Sequence, residues 1–144
     1  MLAFSYPATF RKDAAGRFLV QFADFPRAAT DGASLPEAME EAIDCLGSSI
    51  ALLLAHKQEV PKPAALKRGQ KPVPVPLWIG PKLALHWRIR ELGLNNSELA
   101  RRLGVRETII RRMLDPDHAT KPEKLQAALK LLGQTIVLAV EDAA

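Results

Sequence analysis

The sequence predicts an α+β fold: a small antiparallel sheet covered by one helix, then an all-helical domain that ends in a short strand. Three observations predict it. Apolar residues alternate with period two from Leu2 to Phe25, and they recur at helical spacing after Ser34 and again after Lys82. Between these patterns, residues 57–76 lose all periodicity and hold five prolines. Such a stretch marks a boundary, so three regions are expected: a domain over residues 1–56, a proline-rich linker able to supply an edge strand over 57–76, and a helical domain over 77–144.

In the opening segment Leu2, Phe4, Tyr6, Ala8 and Phe10 alternate with Ala3, Ser5, Pro7 and Thr9, the pattern of a strand with one apolar face. Pro7 cannot donate to a ladder, which places this strand at a sheet edge or a bulge. Asp13, Ala14, Ala15 and Gly16 read as a hairpin turn, and Phe18, Val20 and Phe22 line one face of the returning strand. Pro26 breaks that run, and residues 27–31 can form a short third strand ending at Gly32. Ser34 with Glu37 three residues on has capping-box spacing, and Pro36 lies in the first turn, so a helix starts here. Its buried stripe is Leu35, Met39, Ala42, Ile43, Leu46, Ile50, Leu53 and Leu54, while Glu37, Glu40, Glu41 and Asp44 take the outer face. In the linker, Val73 and Val75 stand between Pro72, Pro74 and Pro76, an extended segment that can bond along one side only.

The second half opens on a supporting helix, residues 82–92, with Leu85, Ile89 and Leu92 on one side, Trp87 nearby and Gly93 as its stop. Leu99, Ala100, Leu103, Gly104, Val105, Ile110 and Met113 then stand where a helix-turn-helix buries side chains. Ala100 must be small because the second helix crosses close to it, and Gly104 permits a turn that a Cβ would strain. Asn95 is the N-cap of the first motif helix, with Glu98 at N3. The second motif helix then presents Glu107, Thr108, Arg111 and Arg112 outward, with Arg106 at its start in a place where Ser or Thr usually caps. Arg112 suits a guanine edge and Glu107 a cytosine edge, while Asn96, Arg101, Arg102 and Arg106 suit phosphates. The same spacing also fits a plain helical hairpin. Thr120 and Glu123 form a second capping box, opening a helix to Leu132 that Gly133 closes. Residues 135–140 are β-branched and apolar, and a lone strand on a helical unit pairs best with the same strand of a second copy.

Charge is unevenly placed. Residues 1–56 hold four Lys/Arg against seven Asp/Glu, a balance of −3; residues 57–76 hold five against one, +4; residues 77–144 hold eleven against eight, +3. Residues 82–114 alone stand at +5, with eight bases and three acids, which points to a nucleic-acid face or to a merely solvated one. The composition excludes other classes. No apolar run reaches the roughly 20 residues a membrane helix needs, and no basic residue precedes the first apolar stretch as in a secretory signal, so a cytoplasmic location and no membrane partner are expected. His56, His86 and His118 are isolated, the single Cys45 reads as a partly buried thiol, and there is no glycine-rich phosphate loop; neither a metal nor a cofactor is expected.

Tyr6-Pro7-Ala8, Gly16, Asp24-Phe25-Pro26, Thr30-Asp31-Gly32 and the helix opening from Glu37-Ala38 to Ala42 together resemble HicB, the antitoxin family of bacterial toxin–antitoxin pairs. Ala23 departs from the proline many relatives have there. The resemblance implies a partial ribonuclease-H-like amino-terminal domain that covers a small mRNA-cutting toxin, HicA. Residues 77–140 resemble the phage-repressor-type DNA-binding domain of many HicB proteins, rather than the ribbon-helix-helix of others. The implied protein is an antitoxin that blocks a HicA-like toxin and represses its own operon by binding double-stranded operator DNA as a homodimer, with pairing into tetramers left open. Glu37, Glu40, Glu41 and Asp44 are the guess for the toxin-facing surface, against the alternative of a solubilising face. An enzyme is not expected, because residues 2–10 carry no carboxylate where ribonuclease H needs one. The rival readings are a helix-turn-helix regulator with a ligand-sensing first domain and an active ribonuclease-H-like nuclease.

Overall fold

The computed structural model describes residues 4–143, so Leu2 and Ala3 of the expected first strand lie outside it. The chain forms two compact units, one ending at Gly80 and the other beginning at Pro81.

The first unit contains β1 (Ser5–Lys12), β2 (Phe18–Phe22), β3 (Ala29–Gly32), α1 (Leu35–Ala55) and β4 (Gln70–Pro74). The strands make one antiparallel sheet in the order β3-β2-β1-β4. The hairpin turn is closed by Asp13, whose carboxylate accepts from the Ala15 and Arg17 amides at 2.9 Å, and by Gly16 at φ +83°. Tyr6, Ala8, Val20, Phe22 and Val73 share one face of this register and are buried against Ala38, Ala42, Leu46, Ile50 and Leu54 of α1.

Three features differ from the sequence reading. Pro7 lies in a central strand, not at an edge. Its carbonyl accepts from the Ala23 amide at 3.3 Å just past the last β1–β2 pair, so its ring falls where the ladder is ending and one bond at most is lost. The buried stripe of α1 is rotated: Ala38 and Gly47 are inside, whereas Leu35, Met39, Ile43 and Leu53 are half-buried. Close approach explains it, since a Cβ on Gly32 would lie 2.4 Å from the Ala38 nitrogen, and one on Gly47 would lie 2.9 Å from both the Pro76 and Trp78 side chains. Finally, the proline segment supplies the edge strand expected of it, but the whole of it, and not that strand alone, is integrated into the first unit. β4 pairs with β1 through Tyr6↔Val73 and Ala8↔Lys71, while the alternating partners Pro72 and Pro74 turn their nitrogens outward, where no donor is required. The approach to β4 is fixed as well: the Tyr6 hydroxyl donates to the Pro61 carbonyl at 2.6 Å, the Asp24 carboxylate accepts from the Ala64 amide at 3.1 Å, and Val60 is buried.

The second unit holds α2 (Gly80–Leu92, its first residue closing the first unit), α3 (Asn96–Leu103), α4 (Glu107–Leu114) and α5 (Pro122–Leu131). Leu85, Ile89, Leu99, Ala100, Ile110, Met113, Leu125, Leu129 and Leu132 form its core, each large aliphatic contributing about 1.5–3 kcal/mol by leaving water. Two expectations fail here. Thr120 does not cap α5. Lys121 is the N-cap without a side-chain bond, and the helix instead starts on Pro122, whose fixed φ is already helical. Nor is there a strand over residues 135–140: residues 134–143 form neither helix nor strand, and among the described residues none of them joins a ladder.

Candidate functional site

The α3–α4 pair is built as its residues dictate. Asn95 caps α3, its side-chain oxygen accepting from the Glu98 amide at 2.8 Å. The helix ends on Gly104 in the left-handed region (φ +67°), and the Val105 amide closes back onto the Ala100 carbonyl at 3.0 Å. Three residues, 104–106, separate the helices, and Leu99, Ala100, Ile110 and Met113 meet in the core. Val105, expected inside, is exposed, and Leu103 is half-buried.

This packing turns the remaining face of α4 outward. Thr108, Arg111 and Arg112 are exposed, and Arg106 stands exposed at an N-cap that lacks any side-chain cap bond. Glu107 is half-buried and already engaged: its carboxylate accepts from Arg111 at 2.9 Å and from the Ser97 hydroxyl at 3.5 Å. Arg112, by contrast, has no side-chain partner among the described residues. Arg101 and Arg102 are exposed on the last turn of α3, where they line a shallow depression with Glu98, and Asn96 is half-exposed at the first position of that helix. Five exposed arginines thus occupy α3, α4 and the turn between them.

One residue of the basic stretch is not on this surface. Lys82 is 2% exposed, the only charged residue buried among those described. From α2 its ammonium donates to the carbonyls of Arg112 (3.1 Å), Asp115 and His118 (2.6 Å), which are the last turn of α4 and the loop after it. Burial pulls this ammonium toward its neutral form, and the nearby Asp115 and Asp117 oppose that. The Thr120 hydroxyl, freed from capping α5, donates to the Arg112 carbonyl at 3.2 Å and bonds the His118 ring at 2.8 Å. No sequence signal announced this role, because a lysine among arginines reads as one more surface charge.

In the first unit Glu37, Glu40, Glu41 and Asp44 are all exposed along the outer face of α1. Ser34 caps the helix by accepting from the Glu37 amide at 3.3 Å, and the Glu37 carboxylate reaches back to the Ala33 amide, one residue earlier than in the standard box. Glu37 is therefore partly committed to the fold. Cys45, on the same helix, is half-buried, and burial raises its thiol's pKa.

Comparison with known proteins decides the family. A family profile described as "HicB_like antitoxin of bacterial toxin-antitoxin system" matches residues 5–84. Antitoxin HicB of Escherichia coli (strain K12) is 33% identical over 133 residues, covering 92% of this chain and 96% of its own. The chain belongs to the HicB-like antitoxin family. Antitoxin HicB 2 of Photorhabdus laumondii subsp. laumondii is 34% identical over 133 residues (92% and 94%), and antitoxin HicB of Pseudomonas fluorescens (strain Pf0-1) is 30% identical over 129 residues (89% and 88%). Membership makes this chain an antitoxin of a toxin–antitoxin system, and not an enzyme. The profile runs past residue 56 through β4, in keeping with the place of the proline segment in the first unit of this HicB-like chain. No helix among its described residues is long and apolar enough to cross a membrane.

Proposed function

We propose that this antitoxin has two separate binding surfaces. The first unit, a reduced ribonuclease-H-like domain, binds and covers a HicA-like mRNA-cutting toxin in the cytoplasm, using the acidic outer face of α1. The second unit is a helix-turn-helix of the phage-repressor type that binds operator DNA and represses the antitoxin's own operon. The observation that carries the DNA reading is the α3–α4 geometry: a left-handed turn at Gly104 and a buried Ala100 leave Thr108, Arg111 and Arg112 outward on the second helix. A solvated helical hairpin needs neither device, nor five unburied arginines in one place.

A homodimer is part of the same proposal. Val137, Leu138 and Val140 are 69%, 74% and 91% exposed in the unpaired tail, an apolar segment that a matching tail from a second copy can cover by strand pairing. Two recognition helices related by a twofold axis then meet major grooves about 34 Å apart, which requires an inverted repeat in the operator. Gel-shift titration of the region upstream of the gene tests the reading: Arg112→Ala is expected to bind that duplex roughly 5- to 150-fold more weakly, the loss of about 1–3 kcal/mol for one bidentate base contact. Unchanged binding sinks the placement of α4.

A further inference from the structure

Three carbonyl oxygens converge on one buried ammonium in the second unit, an arrangement the helix-turn-helix reading does not by itself require. α4 is only eight residues long and begins on Arg106 without a side-chain cap, so its N-terminal end is weakly held. Its C-terminal end is held from another helix. Lys82 of α2 reaches across thirty residues of sequence to the Arg112 carbonyl, and its two remaining N–H bonds go to the Asp115 and His118 carbonyls in the loop. An ammonium offers three donors, and all three are used. The positive charge also sits against the negative end of the α4 dipole, where it is favoured. Thr120 adds a second donor to the same Arg112 carbonyl, so the residue whose side chain is expected at the DNA has its main chain fixed twice.

We infer that Lys82 is a positioning residue for operator discrimination: it touches no DNA, but it fixes the pose of α4 so that Arg112 meets base edges in register. The inference rests on the DNA reading of α4 and deepens it. Direct readout tolerates little misplacement, whereas phosphate attraction tolerates much, because it depends on charge count more than on angle. Loss of Lys82 should therefore cost specific binding and spare nonspecific binding.

The test uses the full chain and two duplexes of equal length, the region upstream of its own gene and a random sequence, with affinities measured by fluorescence anisotropy over a range of salt. Lys82→Met, which keeps the side-chain volume and removes the charge, is expected to weaken upstream binding at least tenfold. Random-duplex affinity should stay within twofold, with an unchanged slope against salt. Upstream binding within twofold of the parent overturns the inference. So does a salt slope lower by about one, which means that Lys82 lies on a phosphate. If Lys82→Met loses helical circular dichroism, Lys82→Arg takes its place: the charge remains, but a planar fork cannot donate along three converging directions. That variant must show the same selective loss with parent-like helicity, and parent-like operator binding overturns the inference again. Arg112→Ala, run alongside, separates the two failures. If it leaves both duplexes bound as in the parent, the DNA reading has failed; if it alone loses upstream binding, only the role of Lys82 has.

Discussion

Gly32→Ala is the sharpest test of how the first unit is assembled. The new methyl would lie 2.4 Å from the Ala38 nitrogen, 2.6 Å from its Cα and 2.9 Å from the Glu37 carbonyl carbon, all backbone atoms of the first turn of α1. A side chain can rotate away from such a contact; a helix backbone cannot. Either β3 peels from β2, losing the bonds around Phe18↔Gly32, or the first turn of α1 frays, losing the Ser34 cap and the Glu37–Ala33 bond. A lost cap costs about 1 kcal/mol and each lost hydrogen bond about the same, so the total is roughly 2–4 kcal/mol. That is a large share of the 5–15 kcal/mol typical of a whole domain. Hydrogen exchange read by mass spectrometry resolves the two units. Protection in β2, β3 and the first half of α1 should fall by roughly 30- to 900-fold, at 1.36 kcal/mol per tenfold, while α2–α5 remain as in the parent. Parent-like protection of both the β3 amides and the first-turn α1 amides refutes the close approach and, with it, the reason given for Ala38 facing inward.

Gly104→Ala probes the opposite case, open space but a left-handed backbone: nothing lies within 4 Å of the added Cβ, so about 1 kcal/mol is expected from φ alone. Gly104→Asn should cost less, and thermal melts of the three chains give the order. The buried Tyr6 phenol has its pKa raised by desolvation and, secondarily, by Asp24. Above about pH 10 the unfolded chain ionises this group and the folded chain does not, so first-unit stability should fall as pH rises through that range. Tyr6→Phe should flatten that dependence while costing about 1 kcal/mol at pH 7 for the lost bond to Pro61, as denaturant midpoints at the two pH values will show. Because β4 completes the sheet, a chain ending at Gly80 should still bind toxin in a pull-down, and one ending at residue 69 should not.

The extent of the first unit was the least legible part of the fold. Alternation and turn chemistry gave β1, β2, the Asp13–Gly16 turn and the capped start of α1, because each rests on neighbours in sequence. The rotation of α1 was hidden, since it follows from a backbone approach at Gly32 that no side-chain pattern marks and from the seating of Gly47 against Pro76 and Trp78, far along the chain. The prolines of residues 57–76 look like linker by composition, and although Pro72–Pro76 reads as an extended segment bonding along one side, only the register with β1 shows which strand it joins and that Pro72 and Pro74 fall on non-bonding positions. In the second unit, spacing was enough to locate α3, α4 and their turn, since Gly104 and Asn95 act locally. Lys82 and Thr120 were not readable, because both act through backbone oxygens thirty and eight residues distant.

The extended boundary also bears on the electrostatics of the proposed toxin binding, since a partner that handles RNA should be basic and an acidic domain would complement it. Counted to residue 56 the first domain stands at −3, but the unit that folds runs to Gly80 and includes nine bases against eight acids, a balance of +1. If the partner is the basic, RNA-cutting toxin proposed above, its attraction cannot then come from net charge. It must be local: four acids lie along the outer face of α1, while Lys57, Lys62, Lys67, Arg68 and Lys71 are exposed in the segment leading into β4. The two pictures predict different outcomes for two charge reversals, Glu40→Lys on the acidic face and Glu59→Lys beside the proline segment, each an exposed residue and each shifting the net charge by +2. If the whole field governs docking, both should slow toxin association equally. If the face governs it, Glu40→Lys alone should weaken binding, by about 0.4–2 kcal/mol or roughly 2- to 30-fold for one lost attraction and one new repulsion at an exposed site. The difference should shrink as salt shortens the Debye length, which biosensor kinetics at 50 and 500 mM salt would read directly. Equal effects of the two reversals would remove α1 from the toxin-facing surface.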